Sequence, residues 1–203
     1  MKIAVKGLWN IILSGYPRSG KTMLARRLVS ESRFFSRVGV DELREMFFNE
    51  AYPCRDEFLV YSMIAEMRDV LLERGYSVVI DSTAPNNVTR EFLLTTKVEA
   101  VNRLLIVFNV NRDILVKRNV EKFGDALLVS AWDKRWERPK HEIPILKFNN
   151  NNMEEFDAYY ARLKELLESE THPFKPQFRE AHSPLKEMRK ALENFLKRAH
   201  IDI

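Results

Sequence analysis

The chain has 203 residues, of which 45% are hydrophobic and 31% are charged, a balance typical of a globular protein with one main core. No apolar stretch approaches the roughly 18 residues of a membrane-spanning helix, and the N-terminus lacks a signal-peptide core. The single cysteine, Cys54, excludes an internal disulfide and fits a reducing compartment. We therefore expect a cytoplasmic protein with no membrane partner. The net charge of +4 permits an anionic partner such as nucleic acid, although nucleotide handling alone would explain it.

Strand-like and helix-like patterns alternate along the first 150 residues. Such alternation predicts an α/β fold with a five-stranded parallel sheet and helices on both faces. The strands are expected near residues 10–14, 37–40, 77–81, 103–109 and 143–148. The helices are expected near residues 21–32, 42–49, 56–74, 88–98 and 112–122.

Two segments depart from this alternation. Residues 122–141 contain several cations, two tryptophans and a proline, which predicts a mobile helical lid. After residue 152 the pattern predicts a long helix to about residue 169, a connector and a last amphipathic helix. We therefore divide the chain into a core of residues 1–152, which includes the lid, and a C-terminal helical extension of residues 153–203.

Residues 15–22 fit the phosphate-binding pattern G-x-x-x-x-G-K-[ST], directly after an apolar run and before a helical pattern. In such a loop, backbone N–H groups and the helix N-terminus bind a polyphosphate. The sequence therefore predicts a nucleoside triphosphate site, with Lys21 on the β- and γ-phosphates and Thr22 on Mg²⁺. A plain turn before a helix is the alternative. The residues of this loop are Gly15, Tyr16, Pro17, Arg18, Ser19, Gly20, Lys21 and Thr22.

Asp41 and Arg44 are expected at the end of the second strand and one turn into the next helix, on the same side. A carboxylate there can accept the proton of an attacking hydroxyl, and an arginine can bind an acceptor phosphate. A helix cap and a solvated arginine are the alternative.

Asp81 ends the third strand, where it could orient Mg²⁺ through water or brace a neighbouring arginine, and the sequence does not choose between these roles.

The remaining candidates are cations in and before the predicted lid. Arg118 and Lys122 lie four residues apart on one helical face, so both could neutralise charge on a transferred phosphoryl group. Arg135 and Arg138 are further candidates for substrate binding. The two lid tryptophans, at positions 132 and 136, could stack on a base, although packing against the sheet is the more common arrangement of such a pair.

These segments together resemble the kinase domain of polynucleotide 5′-hydroxyl kinases, within the adenylate-kinase-like group of P-loop kinases. The resemblance rests on the loop, on Asp41-x-x-Arg44, on the strand end at Asp81 and on the helix around Arg118, and it covers roughly the first 150 residues. It implies a P-loop kinase fold, in which Asp41 is the general base, Arg44 holds the acceptor's phosphate and Arg118 contacts the transferred group. The family's second lid cation is usually arginine, whereas this chain has Lys122, which cannot form the same planar fork.

The sequence therefore indicates a Mg²⁺-dependent kinase that transfers the γ-phosphoryl of ATP to a hydroxyl, above all the 5′-hydroxyl of RNA or DNA. GTP is not excluded as the donor, and the oligomeric state stays open. Two alternatives remain. One is a kinase of a small hydroxylated metabolite or of an aminoacyl-tRNA, because the same fold serves these acceptors. The other is a nucleotide-gated binding module that phosphorylates no acceptor.

Overall fold

The computed structural model describes residues 3–140 and 144–169. Five strands are formed by β1 (Leu8–Ser14), β2 (Phe35–Gly39), β3 (Ser77–Asp81), β4 (Val101–Asn109) and β5 (Ile145–Asn149). The helices are α1 (Lys21–Glu31), α2 (Val40–Phe48), α3 (Glu57–Glu73), α4 (Asn87–Leu94), α5 (Arg112–Phe123), α6 (Leu128–Asp133) and α7 (Met153–Ser169).

The five strands form one sheet in the order β2-β3-β1-β4-β5, and every pairing in it is parallel. β1 lies at the centre, and all seven of its residues are buried. A strand that is buried on both faces is typically a continuous apolar run, as the segment Ile11–Leu13 is here. Because the strands are parallel, the loops that follow β1, β2 and β3 meet at one edge of the sheet. The predicted α/β fold with a five-stranded parallel sheet is confirmed.

Hydrophobic residues cover both faces of the sheet. On one face, Ile11 packs in a cluster with Leu28 of α1 and Phe156 of α7. On the other face, Ile12 packs in a cluster with residues of α2, α3 and α4, among them Ile64. The alternation of neighbouring strand residues between the two faces explains why Ile11 and Ile12 belong to different clusters.

Several element bounds differ from those predicted. β2 ends at Gly39 and α2 begins at Val40, so Asp41 lies in the first turn of a helix instead of at a strand end. α4 ends at Leu94, four residues before the predicted end. Thr96 explains this end, because its hydroxyl donates to Asp69 and accepts from a backbone N–H, which favours a turn over a continued helix.

The predicted lid is only partly helical. α5 ends at Phe123, because Gly124 adopts the left-handed conformation. Within residues 124–140, which the structure describes, only α6 is helical. Both tryptophans pack on tyrosines instead of the sheet: Trp132 lies 5.6 Å from Tyr52 between ring centroids, and Trp136 lies 5.2 Å from Tyr16. The lid segment is therefore docked over the loop after β1.

The long helix predicted after residue 152 is present as α7, and its buried residues share a cluster with the sheet. The division of the chain at residue 152 stays a prediction. Two predicted features lie outside the described residues. They are the first position of the fifth strand, residue 143, and the last amphipathic helix. Within the part of the chain that is described, no helix has the length and apolar character needed to cross a membrane.

Replacing Phe156 by alanine is expected to lower the free energy of unfolding by about 3–5 kcal/mol, because the ring is fully buried between α7 and the sheet. Urea unfolding followed by circular dichroism measures the change. The matched control is Met153→Ala on the same helix, where the side chain is exposed and a change of about 0.5 kcal/mol or less is expected. Equal effects of the two substitutions would contradict the packing of α7 against the sheet.

Candidate active site

The loop of residues 15–22 makes a tight turn between β1 and α1. Gly20 has a φ of 103°, a left-handed conformation that glycine adopts without steric cost. A Cβ atom at Gly20 would collide with the side-chain nitrogen of Asn150, and one at Gly15 would lie 2.8 Å from the Cβ of Phe108. Gly20 is therefore required by the turn and by packing behind the loop, and Gly15 is required by packing against Phe108.

Lys21 is buried at the start of α1, and its ammonium group folds back onto the loop. It donates to the carbonyl oxygens of Gly15 at 2.9 Å and of Tyr16 at 2.7 Å. Burial lowers the pKa of Lys21 to about 8, although the carboxylates of Asp81 and Asp41 act in the opposite direction. A buried ammonium so close to the loop can bind a phosphate with little loss of hydration. The hydroxyl-bearing side chain of Thr22, the next residue, is exposed to the adjoining cavity.

Two asparagines hold carbonyl groups of the loop, from positions 102 and 131 residues beyond their partners in it. Asn119 of α5 donates to the carbonyl oxygen of Pro17 at 3.2 Å. Asn150, directly after β5, donates to the carbonyl oxygen of Ser19 at 2.7 Å. Sequence reasoning missed both residues. A signal existed only for Asn150, which belongs to a run of four asparagines at the end of a predicted strand.

A cavity of about 1160 Å³ opens beside the loop at the carboxyl edge of the sheet. This volume exceeds the range of about 300–1,000 Å³ that is usual for small-molecule sites, so the cavity has room for a nucleotide and a small acceptor. Of the residues predicted for the site, those that line the cavity are Pro17, Arg18, Gly20, Lys21, Thr22, Asp41, Arg44, Asp81, Arg118 and Arg135.

Asp41 and Arg44 lie together, as predicted, and both face this cavity. The Asp41 carboxylate accepts a hydrogen bond from Arg44 and is 83% exposed, so it can meet an incoming hydroxyl. The Arg44 side chain is only 4% exposed and also pairs with Glu57 at 2.8 Å. Burial lowers the pKa of Arg44, but the hydrogen bonds to Glu57 and the negative charges of Glu57 and Asp41 together raise it above its ordinary value. Glu57 was not anticipated, since nothing local links two residues thirteen positions apart.

Asp81 is braced by an arginine, one of the two roles left open by the sequence. Arg37 of β2 donates to it through Nε at 2.9 Å and through Nη2 at 2.6 Å. Burial would lower the pKa of Arg37, but the hydrogen bonds to Asp81 raise it. The parallel register sets Asp81 opposite Gly39, two residues beyond Arg37 on β2, which explains the contact. No local pattern indicated that Arg37 is the partner of Asp81, because the two residues lie 44 positions apart.

In the described ranges, no cluster of three or more His, Cys, Asp or Glu side chains could hold a metal ion. A Mg²⁺ ion that enters with a nucleotide needs fewer protein ligands, because phosphate and water oxygens complete its octahedron. The Thr22 side chain and the Asp81 carboxylate both line the cavity and are oxygen donors of the kind that Mg²⁺ prefers. These residues fit a nucleotide-borne Mg²⁺ ion.

Arg118 projects from α5 toward the loop. Its guanidinium donates to the backbone oxygens of Asn150 at 3.0 Å and of Asn151 at 3.1 Å. Burial, together with the nearby positive charge of Arg18, lowers the pKa of Arg118. Arg18 and Arg118 both line the cavity, and neither forms an ion pair with a carboxylate within residues 3–140 and 144–169. Together they create a positive potential beside the phosphate-binding loop.

Three of the predicted residues are directed elsewhere. Lys122 and Arg138 are exposed and do not line the cavity. The Tyr16 side chain turns to the lid, where its hydroxyl donates to Asp133 at 2.8 Å. Burial and this hydrogen bond raise the pKa of Tyr16 to about 12. Gly15 and Ser19 support the loop from behind, so the cavity is lined by only part of the predicted set.

Arg90 of α4 fastens the end of the lid segment to the sheet and was missed by sequence reasoning. It is fully buried and donates to the carbonyl oxygens of Ala84, Pro85 and Glu137 at 2.8–2.9 Å. Its guanidinium lies 4.7 Å from the ring centroid of Trp136. Burial lowers the pKa of Arg90 to about 10. Because its partners are carbonyl groups, this arginine orders the lid without presenting charge to the cavity.

Solved structures of kinases share this fold. A gluconokinase from Sinorhizobium meliloti 1021 has a TM-score of 0.58 and 18% identity, over 82% of this chain and 99% of that one. The Mycobacterium tuberculosis APS kinase CysC, in complex with AMPPNP and APS, has a TM-score of 0.61 and 17% identity, over 81% of this chain and 99% of that one. At these identities the likeness shows the fold alone.

A third structure, the Pnkp1/Rnl/Hen1 complex, is 27% identical over 56% of this chain and 39% of that one, with a TM-score of 0.51. Another structure of that complex is described as an RNA repair complex. A search of curated proteins found no match. A family model described as "AAA domain" matches residues 11–136, which include the phosphate-binding loop and α2 to α6. This match covers more than half of the chain, which has the P-loop kinase fold, and it shows that the chain belongs to the AAA domain family.

Proposed function

We propose that this protein is a kinase that transfers the γ-phosphoryl group of ATP to a hydroxyl, with the 5′-hydroxyl of RNA or DNA as its acceptor. The observation that carries the proposal is the exposed Asp41 carboxylate, which faces the same cavity as Lys21 and Thr22. A nucleotide switch that phosphorylates no acceptor needs no such base. GTP is the alternative donor.

In the proposed reaction the acceptor hydroxyl oxygen attacks the γ-phosphorus, and the bond from that phosphorus to the β,γ-bridging oxygen breaks. The hydroxyl proton passes to the Asp41 carboxylate, and ADP leaves with the bridging oxygen. Lys21 binds the β- and γ-phosphates, while Arg118 and Arg18 offset charge on the transferred group. Thr22 and Asp81 would hold Mg²⁺, which would neutralise negative charge on the phosphates when it is bound.

A polynucleotide acceptor is supported by two observations. One chain of the Pnkp1/Rnl/Hen1 complex is 27% identical over 56% of this chain. Cations also continue along the lid beyond the cavity, at Lys134, Arg138 and Lys140, each of which is exposed. Such a row suits a chain of phosphates better than a small neutral acceptor.

Asp41→Asn is expected to lower kcat by about 10²- to 10⁴-fold, because the amide cannot accept the hydroxyl proton, while the Kd for ATP stays nearly unchanged. The measurement is transfer of labelled γ-phosphate from ATP to 5′-hydroxyl RNA and DNA oligomers, with a panel of small hydroxylated metabolites alongside. Labelling of an oligomer that the substitution abolishes would establish a polynucleotide kinase.

The matched control is Glu45→Gln, which removes one carboxylate from the same helix and the same cavity, one turn from Asp41. Its effect on kcat is expected to be far smaller. Equal activity of Asp41→Asn and the unsubstituted protein would remove Asp41 from the mechanism. Labelling of a metabolite but of neither oligomer would replace the polynucleotide with a small acceptor.

The affinity for ATP is expected to fall about tenfold between pH 7 and pH 9. The pKa of Lys21 is lowered to about 8 in the free protein, so the lysine is largely neutral at pH 9 and must take up a proton when the phosphates bind. Calorimetric titration in buffers of different ionisation enthalpy measures both the affinity and the proton uptake. Lys21→Met should bind ATP weakly with a flat pH profile. An unsubstituted protein with the same flat profile would refute the titration of Lys21.

A further inference from the structure

We propose that the outer face of α3 is a docking surface for the C-terminal segment of this chain, residues 185–200. That segment lies outside the described residues, and its sequence predicts an amphipathic helix. No residue of α3 lines the cavity beside the phosphate-binding loop, within the part of the chain that the structure describes. The docking is therefore independent of the proposed kinase activity.

The outer face of α3 is mostly apolar. Of the seven exposed residues of this helix, which is described in full, five are apolar and two are glutamates. Four of the apolar side chains are spaced at four, four and three positions, so they lie within an arc of about 80° on the helix. We call these four residues the α3 stripe: Leu59, Met63, Met67 and Val70, each 36–41% exposed. Since α3 also packs on the sheet through Val60 and Ile64, it is apolar on two sides, which is typical of a covered helix.

The predicted helix of the segment has an apolar face of the same length. Its apolar residues lie within an arc of about 100° on a helix. These residues are Leu185, Met188, Leu192, Phe195 and Leu196. Positions 59 to 70 and positions 185 to 196 each cover eleven residue steps, or about 16 Å along a helix. Two apolar faces of equal length can pack against each other along their whole extent.

Charge favours the same pairing. Residues 185–200 contain five lysines and arginines against two glutamates. The two exposed glutamates of α3, Glu66 and Glu73, both border the α3 stripe on the same side. Glu66 also pairs with Lys97 at 3.0 Å, but both members of that pair are exposed, so Glu66 stays open to a further cation. A basic segment therefore fits this surface better than an acidic one.

The chain between α7 and the segment is long enough to reach α3. The carbonyl oxygen of Leu167, near the end of α7, accepts from the backbone N–H of Lys6, just before β1. α3 ends just before β3, whose first residue, Ser77, accepts from the backbone N–H of Trp9 in β1. Both helices thus end at the amino edge of the sheet, on opposite faces. The two helical layers are roughly 20 Å apart across the sheet, whereas the fifteen residues 170–184 can span up to about 50 Å.

Oxidation of methionines by hydrogen peroxide tests the docking, because a covered thioether reacts slowly. The full chain is treated, and sulfoxide at each methionine is quantified by peptide mass spectrometry. Leu192→Asp places a charge in the apolar face of the segment, so it should speed oxidation of Met63 and Met67 by on the order of tenfold. Met153, an exposed residue of α7, should react at an unchanged rate. The matched control is Asn194→Asp, which adds the same charge on the polar side of the predicted helix and should change none of these rates.

The reciprocal variant is Met67→Glu, which places a charge in the α3 stripe and should speed oxidation of Met188 in the segment to a similar extent. Its control is Phe58→Glu, because Phe58 is 84% exposed and lies about 140° around α3 from the middle of the stripe. This control should leave the rate at Met188 unchanged. Docking within one chain also makes the protection independent of protein concentration.

Two outcomes would overturn the proposal. Protection that appears only at high protein concentration, with a doubled mass in light scattering, would assign the α3 stripe to a second copy of the chain. Equal oxidation of Met63 and Met67 in the unsubstituted chain and in Leu192→Asp would show that the segment does not cover the stripe. Neither outcome affects the labelling of acceptors, by which the proposed kinase is tested.

Discussion

The parallel pairing of β1 with β3 on one side and with β4 on the other determines where every candidate site residue lies. β1 is buried along its whole length, so its neighbours fix its register, with Ile12 opposite Ile80 and Ser14 opposite Val107. Parallel strands end at the same edge, and in open α/β sheets ligands bind there. The phosphate-binding loop, Asp41 and Asp81 consequently meet in one cavity, although 66 positions separate the first residue of the loop from Asp81.

The phosphate-binding loop does not keep its shape by local sequence alone. Asn119 and Asn150 each hold one of its carbonyl groups, and the Lys21 ammonium holds two more. Carbonyl groups bound from behind leave the backbone N–H groups to the ligand side, which is the arrangement that anions require. The lid is fixed to the same loop through Tyr16. Movement of the lid would therefore shift Tyr16 and, with it, the phosphate-binding loop.

Charge in the cavity is divided into two kinds. Arg44 and Arg37 are paired with carboxylates, so they act on the orientation of Asp41 and Asp81 more than on an anion. Arg118 and Arg135 face the cavity without a carboxylate partner among the described residues. Unpaired arginines in a partly buried cleft attract phosphates more strongly than arginines whose charge is offset by carboxylates. Arg118 and Arg135 therefore make the side of the cavity between the loop and the lid positively charged.

Local sequence patterns predicted the succession of strands and helices along the chain, the phosphate-binding loop and the proximity of Asp41 to Arg44, because each depends on spacing along a few adjacent residues. The pattern also indicated α7, but not that α7 packs into the core of the sheet. Which arginines are paired with carboxylates depends on contacts between different elements, since Glu57 approaches Arg44 and Arg37 approaches Asp81 in this way. Such contacts follow from strand register and helix packing, which no local pattern encodes.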